Sequence, residues 1–228
     1  MPKSQKPQNG PKIDYNTYLE VAEMGDPVAQ RELGDCYFYG KNGAERDAGT
    51  AYTWYAKAAE QGDALAQFKL GECYNYGDGV ESSVKKAVHW YRESAKQDCP
   101  EGEMGLANCY FYGDGIKQDY GRALKLYKKA AEQGSHRAQF KLGHLYSQGK
   151  GVKLDYAEAI KWFEKSAKQG NTEALSALAR CHAFGEGVKQ NYNEAARWYR
   201  KAAKRGDMVA QLLLDTMHAE GHVNKKKG

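Results

Sequence analysis

The segment GECYNYGDGV, Gly71 to Val80, returns at a fixed interval. ANCYFYGDGI begins at Ala107, GHLYSQGKGV at Gly143 and ARCHAFGEGV at Ala179, each 36 residues after the last, and GDCYFYGKNGA begins at Gly34 with one residue inserted. A second ladder has the same period: Trp54, Trp90, Leu126, Trp162 and Trp198, each followed by Tyr55, Tyr91, Tyr127, Phe163 or Tyr199, and then by Ala59, Ala95, Ala131, Ala167 and Ala203. A unit this short cannot bury its apolar face alone, so units must stack on their neighbours and share one continuous core. The glycine loop is then a joint between units. Gly77-Asp78-Gly79 lacks the Gly-Lys-Ser/Thr that ends a phosphate-cradling loop after a strand, and it lacks the spaced carboxylates of a calcium loop.

Helix signals punctuate each unit. A first helix opens at Asp26, Asp63, Ser135, Asn171 and Asp207, whose side chains can accept from the free N–H groups of a first turn. It closes at Gly40, Gly77, Gly113, Gly149 and Gly185, which suit the left-handed position after a helix. A second helix opens at Asp47, Ser83, Asp119, Asp155 and Asn191 and ends at Gly62, Gly134, Gly170 and Gly206. TYLEVAEMG, from Thr17, aligns with WFEKSAKQG, from Trp162, as a lone second helix, and Met208 to Gly221 aligns only with first helices. The expected chain is all-α: a basic tail 1–12, a single repeat domain 13–221 and a basic tail 222–228. The domain has half-repeats 13–25 and 207–221 around full repeats 26–62, 63–98, 99–134, 135–170 and 171–206.

The net charge of +5 sits in the tails. Lys3, Lys6, Lys12 and Lys225, Lys226 and Lys227 account for six positive charges, which leaves 28 basic against 29 acidic side chains in the body. A nucleic-acid partner would need a basic stripe on the folded surface, so none is expected. No apolar run is long enough to span a membrane, and MPKSQKPQNGPK has no apolar core of a secretory signal. The expected location is cytoplasmic.

AQFKLGECYNYGDGV with AVHWYRESAKQD, and AQFKLGHLYSQGKGV with AIKWFEKSAKQG, resemble the Sel-one-like repeat, a relative of the tetratricopeptide repeat, over about Tyr15 to Gly221. The resemblance implies a right-handed α/α superhelical solenoid used as an adaptor or regulator in protein–protein interaction, with no shared catalytic residues and no cofactor. Some secreted members carry two paired cysteines per repeat and are linked to β-lactam binding or hydrolysis, which is the alternative function here. In this chain Cys36, Cys73, Cys109 and Cys181 occupy one register, filled elsewhere by Leu145 and Met217, and the second cysteine of each pair is missing. That register reads as core packing. Cys99 stands at a helix start, where a thiol can become reactive, but with Asp98 in place of the usual glycine it reads as a tolerated surface substitution. His182 and His218 replace the tyrosines of Tyr37, Tyr74, Tyr110 and Tyr146; with Gly221 expected to end the helix before His222, no metal site is expected.

The tetratricopeptide register, anchored on Leu33, Leu70, Leu106 and Leu142, puts the first helices on a concave groove. Its exposed set is expected to be Arg31, Asp35, Phe38, Phe68, Glu72, Asn75, Glu101, Met104, Asn108, Phe111, Arg137, Phe140, His144, Ser147, Ser176, Arg180 and Ala183, with Tyr39, Tyr76, Tyr112 and Phe184 near the rim. Asp35, Glu72 and Glu101 face a single Arg31 in the N-terminal half, whereas Arg137, His144 and Arg180 outweigh Glu173 and Asp215 in the C-terminal half. Leu212, Leu213 and Leu214 lie on a last helix with no second helix after it, an apolar end suited to a homodimer or a docking partner. The expected function is a non-enzymatic module for a protein or peptide ligand.

Overall fold

The computed structural model describes residues 15–223; the six tail lysines lie outside them. Twelve helices and no strand occur among the described residues. The chain divides into two compact units, Met1–Gly102 and Glu103–Gly228.

In the first unit α1 (Tyr15–Glu23) covers the hairpin of α2 (Pro27–Tyr39) and α3 (Ala48–Glu60), which packs on the hairpin of α4 (Ala64–Tyr76) and α5 (Val84–Lys96). The caps are those expected. Asp26 and Asp63 accept from the Ala29 and Ala66 N–H groups, each at 2.7 Å, and Gly40 and Gly77 close their helices in the left-handed region at φ 64° and 79°. Gly34 and Gly71 let the rings of Tyr55 and Tyr91 lie directly on the first-helix backbone, where a Cβ would stand 2.6 Å from either ring. Gln30 and Gln67 fasten each first helix to the end of the preceding one by donating to the Ala22 and Ala59 carbonyls.

The GDG loop is the joint expected of it. Gly79, at φ +73°, passes so close to the start of α3 that a Cβ would meet the Ala48 carbonyl oxygen at 2.1 Å. In the second unit Gly151 and Gly187 lie in the same way on Tyr120 and Tyr156.

The second unit begins within α6 (Pro100–Tyr112). It continues through α7 (Tyr120–Glu132), α8 (His136–Gln148), α9 (Tyr156–Lys168), α10 (Thr172–Phe184), α11 (Tyr192–Ala203) and α12 (Met208–Ala219). Its glutamine fastening recurs at Gln139, which donates to the Ala131 carbonyl, and is altered at Glu103. The buried Glu103 carboxylate instead accepts from Gln133 at 2.9 Å and pairs with Lys129 at 2.8 Å.

Three expectations are corrected. His222 and Val223 do not begin a tail: Gly221, at φ +72°, turns the chain back, His222 stacks on Tyr192 at 4.1 Å and Val223 is buried in the core. Leu214 is buried and extends the Leu33 register into α12, so it adds nothing to an apolar end. Cys99 is buried rather than at the surface, and burial pushes its thiol up, away from the activated state a helix start can give. Asp98 takes the left-handed conformation of the glycine it replaces, at φ +59°.

Candidate binding faces

On the first-helix face of the first unit the polar groups are engaged with one another. Arg31 reaches Asp63 at 3.1 Å and Glu32 at 2.6 Å. Asp35 accepts from the Tyr55 hydroxyl at 2.5 Å, and Glu72 lies 3.7 Å from the Lys69 ammonium. Lys69 also donates to the Tyr39 hydroxyl at 3.2 Å. The acidic excess expected here is therefore offset by Lys69, which sits beside the expected positions, and by the bond from Tyr55. Phe68 is not exposed as expected: it is buried against the ring of Tyr91, 5.8 Å away. Phe38 is half-buried with its ring edge-on to Tyr39, Asn75 is half-buried, and Glu101 is exposed, accepting from the Cys99 thiol at 3.3 Å.

In the second unit Met104, Ser147 and Ala183 are buried, against expectation. Asn108 accepts from the Tyr127 hydroxyl at 2.6 Å, Phe111 packs against Tyr120 at 5.3 Å, and Arg137 is exposed. Phe140, His144, Arg180 and Leu213 converge on two open clefts. One, of about 420 Å³, is walled by Phe184, Tyr192, Met217 and His222. The other, of about 270 Å³, is walled by Phe140, His144, Glu173, Ser176 and Val209. Arg180, Tyr199 and Leu213 line both. Leu212 is exposed and lines neither.

Positive charge gathers about His144 on this face. His144 is held below its ordinary pKa first by burial and then by the charges of Lys141, Lys150 and Arg180. Lys141 lies 5.8 Å from the ring of Tyr112 and Lys150 lies 5.1 Å from that of Phe111; neither meets a carboxylate among the described residues. Arg180 has Glu186 at 3.6 Å from its Nε. Glu173 lies two turns earlier on α10, and Glu220 lines the larger cleft.

Tyr199, Tyr192 and His222 escaped the register argument because a ladder tyrosine reads as core and a residue after a helix-ending glycine reads as tail. One signal does stand in the sequence. Two residues after the anchoring leucine come Asp35, Glu72, Asn108, His144 and Arg180. The first three can accept a hydrogen bond from a tyrosine in the next helix, and an arginine cannot.

All five cysteines are free and buried, and burial pushes the thiols of Cys73, Cys109 and Cys181 up to about 12, 11 and 11. No group of three or more potential ligands is placed to hold a metal among the described residues, and no helix there is long and apolar enough to cross a membrane.

A family model described as Sel1 repeat matches residues 27–63, 64–99, 100–135, 136–171 and 172–207. Among solved structures, a Sel1 repeat protein from Oxalobacter formigenes is 31% identical, with a TM-score of 0.84 over 93% of this chain and 88% of that one. A protective antigen of uropathogenic Escherichia coli displaying an SLR fold is 37% identical, with a TM-score of 0.83; the match covers 92% of this chain but only 45% of the antigen's. An immunity protein of Pseudomonas aeruginosa, 20% identical over 83% of this chain and 72% of its own, shares the fold at a TM-score of 0.56. No curated protein matches the chain significantly.

Proposed function

This chain belongs to the Sel1 repeat family, and we propose that it is a non-enzymatic adaptor or scaffold that binds a protein or peptide segment on its first-helix faces. Its fold is the all-α repeat solenoid of that family, which serves generally as a non-catalytic scaffold for protein–protein interaction. The observation that carries the reading is a repeated exposed aromatic. The last residue of four of the first helices, though not of α8 or α12, is Tyr39, Tyr76, Tyr112 or Phe184, and these side chains are 46%, 70%, 55% and 69% exposed. Large rings held in water on rigid helices gain free energy when a partner covers them, and aromatic anchors dominate the cores of interfaces. The near-neutral repeat body supports a protein ligand over a nucleic acid, and five unpaired thiols suit a reducing compartment such as the cytoplasm.

The test is affinity capture from the source cells with the full chain as bait, beside a variant with all four aromatics changed to serine. Partners identified by mass spectrometry should be retained by the native chain and lost by the variant. Equal retention by both would place recognition on another surface. Met208, Val209 and Leu212 leave a second exposed apolar patch at the last helix, suited to a second copy or to a partner helix. Leu212→Glu should abolish any dimer seen by sedimentation.

A further inference from the structure

In both units the side chain two residues after the buried leucine governs the hydroxyl of a tyrosine in the next helix. Asp35 accepts from Tyr55, and Asn108 accepts from Tyr127. At the last such position the acceptor is gone, because Arg180 stands where Asp35 and Asn108 stand. Tyr199 is only 4% exposed, yet its hydroxyl makes no hydrogen bond among the described residues, and the residue lines both clefts. The hydroxyl opens onto the clefts rather than being sealed in the core, so it and Arg180 stand there together as donors that a ligand in the clefts can use.

We propose, resting on the scaffold reading above, that Arg180 and the Tyr199 hydroxyl hold the carboxylate of an acidic side chain in an extended peptide. A large apolar side chain close to it in the peptide sequence fills the larger cleft, against Phe184, Tyr192 and Leu213. At about 420 Å³ that cleft is within the size range of ligand pockets, roughly 300–1,000 Å³. Charge complementarity selects the acid. Lys141 and Lys150 carry no carboxylate partner among the described residues, and with Arg180 they make the His144 side of the face positive. The nearby acids fix the register. Glu173 lines the smaller cleft and Glu220 the larger, while Arg180 lines both. A peptide acid is therefore repelled at either end and attracted at the centre, beside Tyr199. Glu186, near one edge of the Arg180 guanidinium, leaves the other N–H donors of that group for the ligand.

The test is phage display of a random peptide library on the full chain, followed by synthesis of the enriched peptides with fluorescent labels. The enriched sequences should share an Asp or Glu close to a Phe, Trp or Leu. Replacing that acid by its amide should weaken binding about tenfold, as should Arg180→Gln, and Tyr199→Phe should weaken it several-fold, in line with loss of charge-assisted hydrogen bonds. Lys128→Ala, at an exposed position of the second helix α7, should leave the affinity unchanged. Far-ultraviolet circular dichroism checks that each variant is folded; Tyr199→Phe removes only a hydroxyl and decides the matter if Arg180→Gln is not folded. Enriched peptides without an acid, equal affinity for the amide form, or a clear preference for a phosphorylated form would each overturn the carboxylate assignment. Failure to enrich any peptide would overturn it too. Peptides that ignore Arg180 and Tyr199 but depend on Tyr39 or Tyr76 would overturn it while leaving the scaffold reading intact.

Discussion

The first unit and the second from α8 onward present the same register to solvent and use it in opposite ways. In the first, Asp35 is bound by Tyr55, Glu72 lies beside Lys69, Arg31 is clamped between Asp63 and Glu32, and Phe68 is buried. In the second, Phe140 borders a cleft, Lys141 and Lys150 meet no carboxylate among the described residues, and the Tyr199 hydroxyl has no partner there. A polar group can be satisfied inside the fold, where it adds order, or left for a ligand, where it adds recognition; one side chain cannot fully do both. The switch between these states is one residue wide, Asp or Asn against Arg at one position of the repeat.

The joints should be blind to this difference, and they carry the largest expected effect. Gly79 and Gly187 both sit in the left-handed region against the start of an earlier helix, where a Cβ would meet backbone at 2.1 Å and 2.8 Å. Gly79→Ala and Gly187→Ala should each lower the free energy of unfolding by about 3 kcal/mol or more, since strained backbone and overpacking add. Gly62→Ala, at φ +93° with nothing within 4 Å of its Cβ, should cost only the conformational part, about 1–2 kcal/mol. Urea unfolding of the three variants measures it. A large effect in one unit alone would show that the joints differ along with the faces.

The hydroxyls should separate the Asp35 position from the Arg180 position. Tyr55→Phe removes a hydrogen bond to a carboxylate and should cost about 1.5–3 kcal/mol. Tyr199→Phe removes an unpartnered hydroxyl and should change stability by less than about 0.5 kcal/mol. Equal losses in the two variants, read from urea midpoints, would mean that Tyr199 has an acceptor of its own and that the contrast fails.

What could be read from the sequence follows the range of the interaction. The period, the hairpins and the caps are local or strictly repeated. Asp26, Asp63, Ser135, Asn171 and Asp207 each accept from a first-turn N–H, as their position alone requires. The faces are another matter. Phe68 and Phe140 share a register, yet one is buried and the other borders a cleft, because the outcome depends on side chains from neighbouring helices that no spacing rule names. Lys69 lies one position outside the expected groove set, yet its ammonium bends back to Glu72 and Tyr39. The return of His222 and Val223 was hidden by Gly221: its φ of +72° ends a helix and also aims the chain back at Tyr192.

The contrast can also be reversed by design. Arg180→Asn would place beside Tyr199 the acceptor that Asn108 gives Tyr127. It should raise the unfolding free energy by about 1 kcal/mol, the net worth of a neutral hydrogen bond, while abolishing binding of acidic peptides. Gain of stability with loss of binding is the expected trade where a site is kept unsatisfied for its ligand. A variant neither more stable nor weaker in binding would break the link between the two.

The smallest expected effect is on pH. His144 stands where the first unit has Asp35 and Glu72, and burial, followed by Lys141, Lys150 and Arg180, holds it below its ordinary value of 6.5. The unfolded chain therefore binds the proton first as pH falls. The stability contributed by neutral His144 is fully present above about 6.5 and is lost as pH drops toward the lowered folded value, below which the loss is constant. His144→Gln should flatten that part of the stability profile in urea titrations at stepped pH. An acidic peptide seated at Arg180 adds a negative charge to the same cluster, so it should raise the His144 pKa, which the His144 ring-proton shift in NMR would follow. A pKa that does not rise when such a peptide binds would place its carboxylate away from these cations, and the two faces would then differ in geometry without differing in what they select.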